Sequence, residues 1–252
     1  MTVTDQPLRD RVAIVTGGGR GMGEAHCLEL AHRGAKVAVL DIDTEVAQSV
    51  AAAITTRGGQ AVGIGCDVTD RASVEAAVAA TAEAFGGIDI VVSNAGLVND
   101  ESGLADTDDT EWRRMLAVNL DGCLNLTRAA VPWLLESRHG RVIVISSTWG
   151  QVPPGHSYSY IAAKGALIAF AKNMAVEFAP KGITVNAITP GSIRTRMIPD
   201  PERELEMYPI PIGRMAEPVE VSYLVCYLAS DEAGFVTGQV MSINGGTPIV
   251  GI

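Results

Sequence analysis

Residues 156 to 166, HSYSYIAAKGA, hold four side chains that could do chemistry: His156, Tyr158, Tyr160 and Lys164. A free phenol titrates near pH ~10, too high for proton exchange at neutral pH unless a cation favours its ionised form. On a helix, residues i and i+4 share a face, so Tyr160 has Lys164 as its neighbour, whereas Tyr158 meets only Ile161 and Ala162. Tyr160 with Lys164 could therefore pass a proton to or from a bound oxygen, although the same pair would also serve as a surface contact. Ser146 and Ser147 end an apolar run upstream; a hydroxyl there could hold an oxygen that gains negative charge. Consecutive strand residues face opposite sides, so at most one of the two serines does so. His156 has no hydrolase setting, because G-x-S-x-G is absent and no Ser/His/Asp order supports it, which leaves a pocket wall or the surface.

A second constellation lies near the N-terminus. TGGGRGMGE reads as T-G-x-x-x-G-x-G through Thr16, Gly17, Gly21 and Gly23, between an apolar strand and a helix. Glycines allow a tight turn and close backbone approach to a pyrophosphate, and the following helix offers unpaired N–H donors. Asp41 closes the next strand, near the ~20-residue offset at which an acidic side chain meets the adenosine ribose diol. Its carboxylate would accept from the 2′-hydroxyl and repel a 2′-phosphate, so NAD is expected in preference to NADP. Arg20 could pair with a 2′-phosphate or stand as a solvated charge; Asp41 acts at closer range and should dominate.

These groups need a scaffold of alternating strands and helices. Strand-like runs occupy 11–17, 36–41, 60–68, 88–96, 140–147, 182–191 and 238–246, and helical patterns separate them. That rhythm predicts one α/β domain over 1–252, a doubly wound parallel sheet with right-handed crossovers. The cofactor-binding half spans about 10–120 and the catalytic and substrate half about 121–252. A helix near 108–136 contains Asn119 and Pro132 and is expected to be kinked or divided; 158–180 reads as one long helix. The stretch 192–216 reads as irregular.

Composition narrows the function classes. The chain is 47% hydrophobic and 19% charged, the profile of a compact globule. A net charge of −10 with no basic run argues against nucleic acid as a partner. No apolar stretch approaches a membrane span, and the N-terminal MTVTDQPLRD lacks a signal-like core, so a soluble, cytoplasmic protein is expected. The four cysteines are far apart and read as buried thiols; the four histidines show no ligand spacing, so no metal site is expected.

With these residues in view, the chain resembles the short-chain dehydrogenase/reductase family over essentially its whole length. Besides the glycine-rich turn, CDV at 66–68 places Asp67 where the family has an adenine-contacting aspartate, followed by Val68. SNAG at 93–96 is similar to the family's N-N-A-G through Asn94, Ala95 and Gly96, with serine in first place. PGSIRT at 190–195 matches P-G-x-x-x-T, whose Pro190, Gly191, Ile193 and Thr195 positions lie toward the nicotinamide. The resemblance also places Arg20, Met22 and Ile42 against the cofactor.

The resemblance implies a catalytic set of Asn119, Ser147, Tyr160 and Lys164. The family's thirteen-residue interval before the tyrosine selects Ser147 over Ser146. Tyr160 would be the general acid/base, Ser147 would stabilise the substrate oxygen, and Lys164 would tune Tyr160 and bind the nicotinamide ribose. Asn119 would support a water that relays protons to Lys164. It further implies seven strands in the order 3-2-1-4-5-6-7, a homo-oligomer, commonly a tetramer, and hydride transfer between NAD and a small-molecule secondary alcohol or ketone. The alternatives are an NADPH-dependent reductase of 3-oxoacyl thioesters and a non-catalytic nucleotide-binding protein on the same fold. The resemblance makes 192–216, with Met197, Met207 and Tyr208, the family's mobile substrate-covering loop. Trp149, His156 and Met197 are candidates for a largely apolar substrate pocket, and Arg194 and Arg196 could meet an anion but sit beside Asp200, Glu202 and Glu204.

Overall fold

The computed structural model describes residues 6–98, 103–198 and 200–247. Its β-branched runs form seven strands: β1 (Val12–Thr16), β2 (Lys36–Asp41), β3 (Gln60–Gly65), β4 (Ile90–Ser93), β5 (Arg141–Ile145), β6 (Thr184–Pro190) and β7 (Val240–Ile243). They pair in parallel as β3-β2-β1-β4-β5-β6-β7, the order that the resemblance implies. Several ladders stop short of their apolar runs. The residues beyond these ends, at 66–68, 94–96 and 146–147, leave the sheet at its carboxyl edge and become loops that carry side chains of the site.

Both faces of the sheet are covered, which is why its strands are apolar throughout rather than alternating. α1 (Gly21–His32), α2 (Thr44–Thr56) and α8 (Pro218–Ala229) cover one face; α3 (Arg71–Phe85), α5 (Gly122–Glu136) and α6 (Tyr158–Phe178) cover the other. The strand period of two is visible in β1, where Ala13 and Val15 pack toward the first set and Val12 and Ile14 toward the second. Each such side chain, when fully buried, contributes about 1.5–3 kcal/mol. Cys27, Cys66, Cys123 and Cys226 are buried free thiols within these layers. No helix among the described residues is long and apolar enough to cross a membrane.

The expected 108–136 helix is divided at Asn119 and not at Pro132. α4 (Asp109–Leu116) passes through a π turn over Ala117–Asp121, closed by the Gly122 N–H to the Ala117 carbonyl, before α5 begins. Pro132 lies inside α5 on its exposed side, where a carbonyl deprived of its partner opens to water. The 192–216 stretch, expected to be irregular, contains a short helix, α7 (Pro201–Met207). Its start is well specified: the Asp200 side chain accepts the Arg203 N–H at 3.0 Å, Pro201 takes the first position, and Glu202 and Glu204 occupy the first turn.

α1 is tied to α8 by a buried hydrogen bond of 2.8 Å between His26 Nδ1 and the Ser222 hydroxyl. The glycine-rich turn enters α1 at Gly21, five residues before His26, so this bond also braces the helix that follows the turn.

Candidate active site

The chain order reverses between β1 and β4, and in open α/β sheets the ligand crevice forms at such a switch point, beyond the carboxyl ends of the strands. Thr16 ends β1, and its Oγ1 accepts the N–H groups of Asn94 (3.1 Å) and Ala95 (3.2 Å). Asn94 Nδ2 donates in return to the carbonyls of Thr16 (3.0 Å) and Gly17 (3.2 Å). The 94–96 segment is thereby stitched to the glycine-rich turn. A Cβ on Gly23 would stand 1.9 Å from the Gly17 carbonyl oxygen, so only glycine lets α1 begin this close to the turn. The first N–H groups of α1 then open toward the crevice, as a pyrophosphate requires.

At the adenosine side, the buried Asp41 carboxylate accepts the Gly19 N–H at 3.0 Å through Oδ2 and the Asp43 N–H at 3.1 Å through Oδ1. Ile42 beside it is exposed. Arg20 is drawn away from Asp41: its Nη2 donates to Asp43 Oδ2 at 2.9 Å. Asp67 accepts from the Thr69 N–H and hydroxyl, and the buried Val68 gives its carbonyl to Asn125 Nδ2 at 3.0 Å. An open glycine turn flanked by a fixed acceptor carboxylate fits the pyrophosphate and ribose of a nicotinamide dinucleotide.

Both serines lie beyond the end of β5 and both line the cavity, against the expectation that only one faces it; they differ in their bonds. Ser146 Oγ donates to the Lys164 carbonyl at 2.7 Å, a structural bond to α6, while Ser147 is a hydrogen-bond partner of Tyr160 and accepts the Trp149 N–H at 3.1 Å. Lys164 Nζ donates to the Ile145 carbonyl at 3.1 Å and lies 5.6 Å from the Tyr160 ring centroid. A Cβ on Gly96 would stand 2.7 Å from Asn119 Oδ1 and 3.2 Å from Lys164 Nζ, so glycine lets these groups close around the turn after β4. Asn119 occupies the π turn with both ends engaged. Its Oδ1 accepts the Leu97 N–H at 3.2 Å, and its Nδ2 donates to the carbonyls of Leu97 (3.2 Å) and Met115 (3.0 Å).

A family model described as enoyl-(acyl carrier protein) reductase matches residues 17–248. The 2,5-dichloro-2,5-cyclohexadiene-1,4-diol dehydrogenase LinX of Sphingobium indicum is 37% identical over 242 residues, 95% of this chain and 96% of that one. The chain belongs to the short-chain dehydrogenase/reductase family. The 3-oxoacyl-[acyl-carrier-protein] reductase FabG of Escherichia coli is 38% identical over 244 residues, 95% of this chain and 98% of its own. A solved short-chain type dehydrogenase/reductase from Mycobacterium marinum superposes with a TM-score of 0.91 at 34% identity, covering 98% of each chain. As a member of the family, the protein is an oxidoreductase that acts on CH–OH groups with a nicotinamide cofactor.

In this short-chain dehydrogenase/reductase, burial pushes the Lys164 ammonium down to about 8, against a smaller opposing effect of Cys123. Burial raises the Tyr160 phenol above its ordinary value, and the Ser147 hydroxyl partly offsets this. The sequence leads one to expect a phenol lowered by its lysine. In the chain alone the lysine has its own charge weakened by burial and is committed to the Ile145 carbonyl, so desolvation of the phenol prevails.

A cavity of about 580 Å³ opens beside Ser147 and Tyr160. Trp149, His156 and Met197 line it, as do Met22, Pro190, Gly191, Ile193 and Thr195. Trp149 sets its ring edge-on to both His156 (5.2 Å) and Tyr160 (6.0 Å). The expectation of a largely apolar pocket describes this wall only. α7 and its flanks add Asp200, Arg203, Glu204 and Tyr208, and Ser192 Oγ donates to Glu204 Oε1 at 2.5 Å. Arg194 and Arg196 do not line the cavity; Arg194 Nε donates to Glu217 at 3.0 Å, and Arg196 is exposed. The resemblance makes 192–216 the substrate-covering loop and includes Tyr208 in it, but it does not single out Ser192, Glu204 or Tyr208 as pocket residues. The Asp-Pro-Glu helix start could have shown α7, but not which of its residues turn inward.

Proposed function

We propose that the protein carries out reversible oxidation of a secondary alcohol to a ketone with NAD as its cofactor. The buried Asp41 carboxylate at the end of β2 carries this reading: it presents an acceptor to a ribose diol and a repulsive charge to a 2′-phosphate. The engagement of Arg20 by Asp43 supports the same preference, since it occupies the guanidinium nearest the turn.

When bound, the nicotinamide accepts or delivers the hydride. Tyr160 takes the carbinol proton in oxidation and returns it in reduction. Ser147, partnered to the phenol, holds the substrate oxygen and stabilises the charge that develops there. Lys164, 5.6 Å from the Tyr160 ring centroid, would supply a cation beside the phenol and would hold the nicotinamide ribose of a bound cofactor. Asn119 holds the turn after β4 against α4, next to Lys164, where a proton relay to the lysine would run.

The FabG relatives favour a second reading, an NADPH-dependent reductase of 3-oxoacyl thioesters. Initial rates followed at the reduced-nicotinamide band decide between the two, with a panel of cyclic, aryl and aliphatic secondary alcohols against NAD and NADP, and a 3-oxoacyl thioester against NADH and NADPH. Oxidation with a clear NAD preference is expected, and Asp41→Ala should weaken NAD and admit NADP. Thioester reduction with NADPH alone overturns the reading. Tyr160→Phe should lose turnover by about 100-fold or more while NADH still binds by fluorescence.

We also infer a homo-oligomer, in line with the family resemblance. Phe235 is fully exposed and Tyr223 and Tyr227 of α8 are exposed as well, large rings that a second copy would cover. A monomer mass in solution would sink this.

A further inference from the structure

Two features of the cavity remain unused by the reaction. The first is an aromatic wall: Trp149 and Tyr208 meet at 5.8 Å with their planes 60° apart, and Trp149 reaches the ring of Tyr160. Such a wall suits the apolar body of a ring next to the reacting carbinol. The second is a half-buried carboxylate. Glu204 sits on α7, lines the same cavity, and is oriented by the Ser192 hydroxyl through Oε1 alone. A carboxylate has about four acceptor sites; among the described residues, Oε2 has no side-chain donor.

The charged groups around it do not supply that donor. Arg203, the next residue on α7, also lines the cavity but is exposed, and among the described residues no ion pair joins it to Glu204. Asp200 caps the helix, with its Oδ1 on the Arg203 N–H. Arg194 is paired with Glu217 and Arg214 with Glu220, both away from the cavity. Oε2 therefore asks for a donor from the ligand and repels an anionic group placed directly against it, while Arg203 stands further out on the same wall.

We propose that Glu204 is a specificity-determining residue that selects a cyclic diol: one hydroxyl reacts at Ser147 and Tyr160, and a second, elsewhere on the ring, donates to Glu204 Oε2. This rests on the alcohol-oxidation reading and specifies its substrate class. The ring lies against Trp149 and Tyr208, and ring acids with a carboxylate in place of the second hydroxyl are disfavoured.

The test uses three ligands on one ring, cyclohexanol, cyclohexane-1,4-diol and 4-hydroxycyclohexanecarboxylate, with the full chain, NAD, and the Glu204→Gln and Ser192→Ala variants. In the wild type, kcat/KM should rank diol, then mono-alcohol, then hydroxy acid. Glu204→Gln should lower the diol to mono-alcohol ratio by about tenfold, mostly through KM, the size expected for a hydrogen bond to a charged group. It should raise the hydroxy acid to mono-alcohol ratio by several-fold. Ser192→Ala should lower the diol ratio by a smaller factor. A merely structural role would move all three substrates together, so unchanged ratios in Glu204→Gln overturn the proposal and leave alcohol oxidation standing. Absence of turnover with every alcohol, while NADH binds, overturns alcohol oxidation itself and the proposal with it.

Discussion

Arg20 and Asp43 form an ion pair of 2.9 Å at the edge of the glycine-rich turn, with both side chains partly exposed. The pair decides what the guanidinium contributes to cofactor choice. The contact with Asp43 occupies one guanidinium nitrogen of Arg20 and offsets part of its pull on a 2′-phosphate, so the carboxylate of Asp41 weighs more in the choice.

Asp43→Ala frees Arg20 and removes one negative charge from this corner. The expected result is a fall of about three- to tenfold in the NAD over NADP ratio of kcat/KM, in line with about 1 kcal/mol for a partly exposed charged pair. Combined with Asp41→Ala, the loss should exceed the sum of the single effects, because the released guanidinium can then pair with a 2′-phosphate that no carboxylate at Asp41 repels. Equal cofactor ratios in wild type and Asp43→Ala would show that the pair has no part in the choice.

How far the site was legible depends on how local its contacts are. The Tyr160 and Lys164 pair follows from helical spacing, and Asp41 and the glycine turn from their places at strand ends. Ser147 needed the interval to Tyr160, because both serines lie beyond the end of β5 and both line the cavity, so alternation does not separate them. Asn119 marked a break in the helix, but its form, a π turn whose Asn119 side chain is bonded to Leu97 and Met115, depends on a partner 22 residues away. The Ser192 bond to Glu204 and the His156 bond to Tyr208 join residues with no shared periodicity, so no pattern announces them. α7 did carry its start signals in Asp200 and Pro201; the prolines around it read as an irregular segment.

Lys164 makes stability without cofactor depend on pH. Its ordinary value of 10.5 falls to about 8 in the folded chain. Between these values the unfolded chain binds the proton and the folded chain does not, so stability rises with pH across that window. Relative to Lys164→Met, the wild type should gain about 3 kcal/mol between pH 7 and 10.5, whatever the constant cost of losing the bond to Ile145. Denaturant titrations at a series of pH values test this, and parallel profiles for the two proteins would refute it.

His26 gives the opposite end of the pH scale. Burial lowers its imidazole from 6.5 to about 3, so it is neutral in the folded chain and charged in the unfolded one between those values. Stability is then lost as pH falls below about 6, by about 1.4 kcal/mol per unit from this group. His26→Gln can keep a hydrogen bond to Ser222 without titrating, and its acid unfolding midpoint should lie below that of the wild type. The variant should lose its advantage above pH 7. Coincident acid transitions would mean that other groups dominate.

Tyr208 joins α7 to the segment after β5. Its hydroxyl and His156 Nε2 are 3.0 Å apart, His156 Nδ1 is bonded to the Ser157 hydroxyl at 3.0 Å, and the Tyr208 ring rests on Trp149. The contact thus has a polar part and an apolar part that mutation can separate. Tyr208→Phe keeps the ring and removes one neutral hydrogen bond of about 1 kcal/mol, so KM for a ring alcohol should rise by about three- to fivefold. Tyr208→Ala also removes the aromatic wall, and the ring alcohol should lose more than an aliphatic secondary alcohol of similar size. If Tyr208→Ala affected the two substrates alike, the ring would be serving only to hold α7 in place. The His156→Asn variant separates the parts from the other side, since an amide can still bond the Tyr208 hydroxyl. Its KM should fall between those of the wild type and Tyr208→Phe, and a value above that of Tyr208→Phe would show that the imidazole itself meets the substrate.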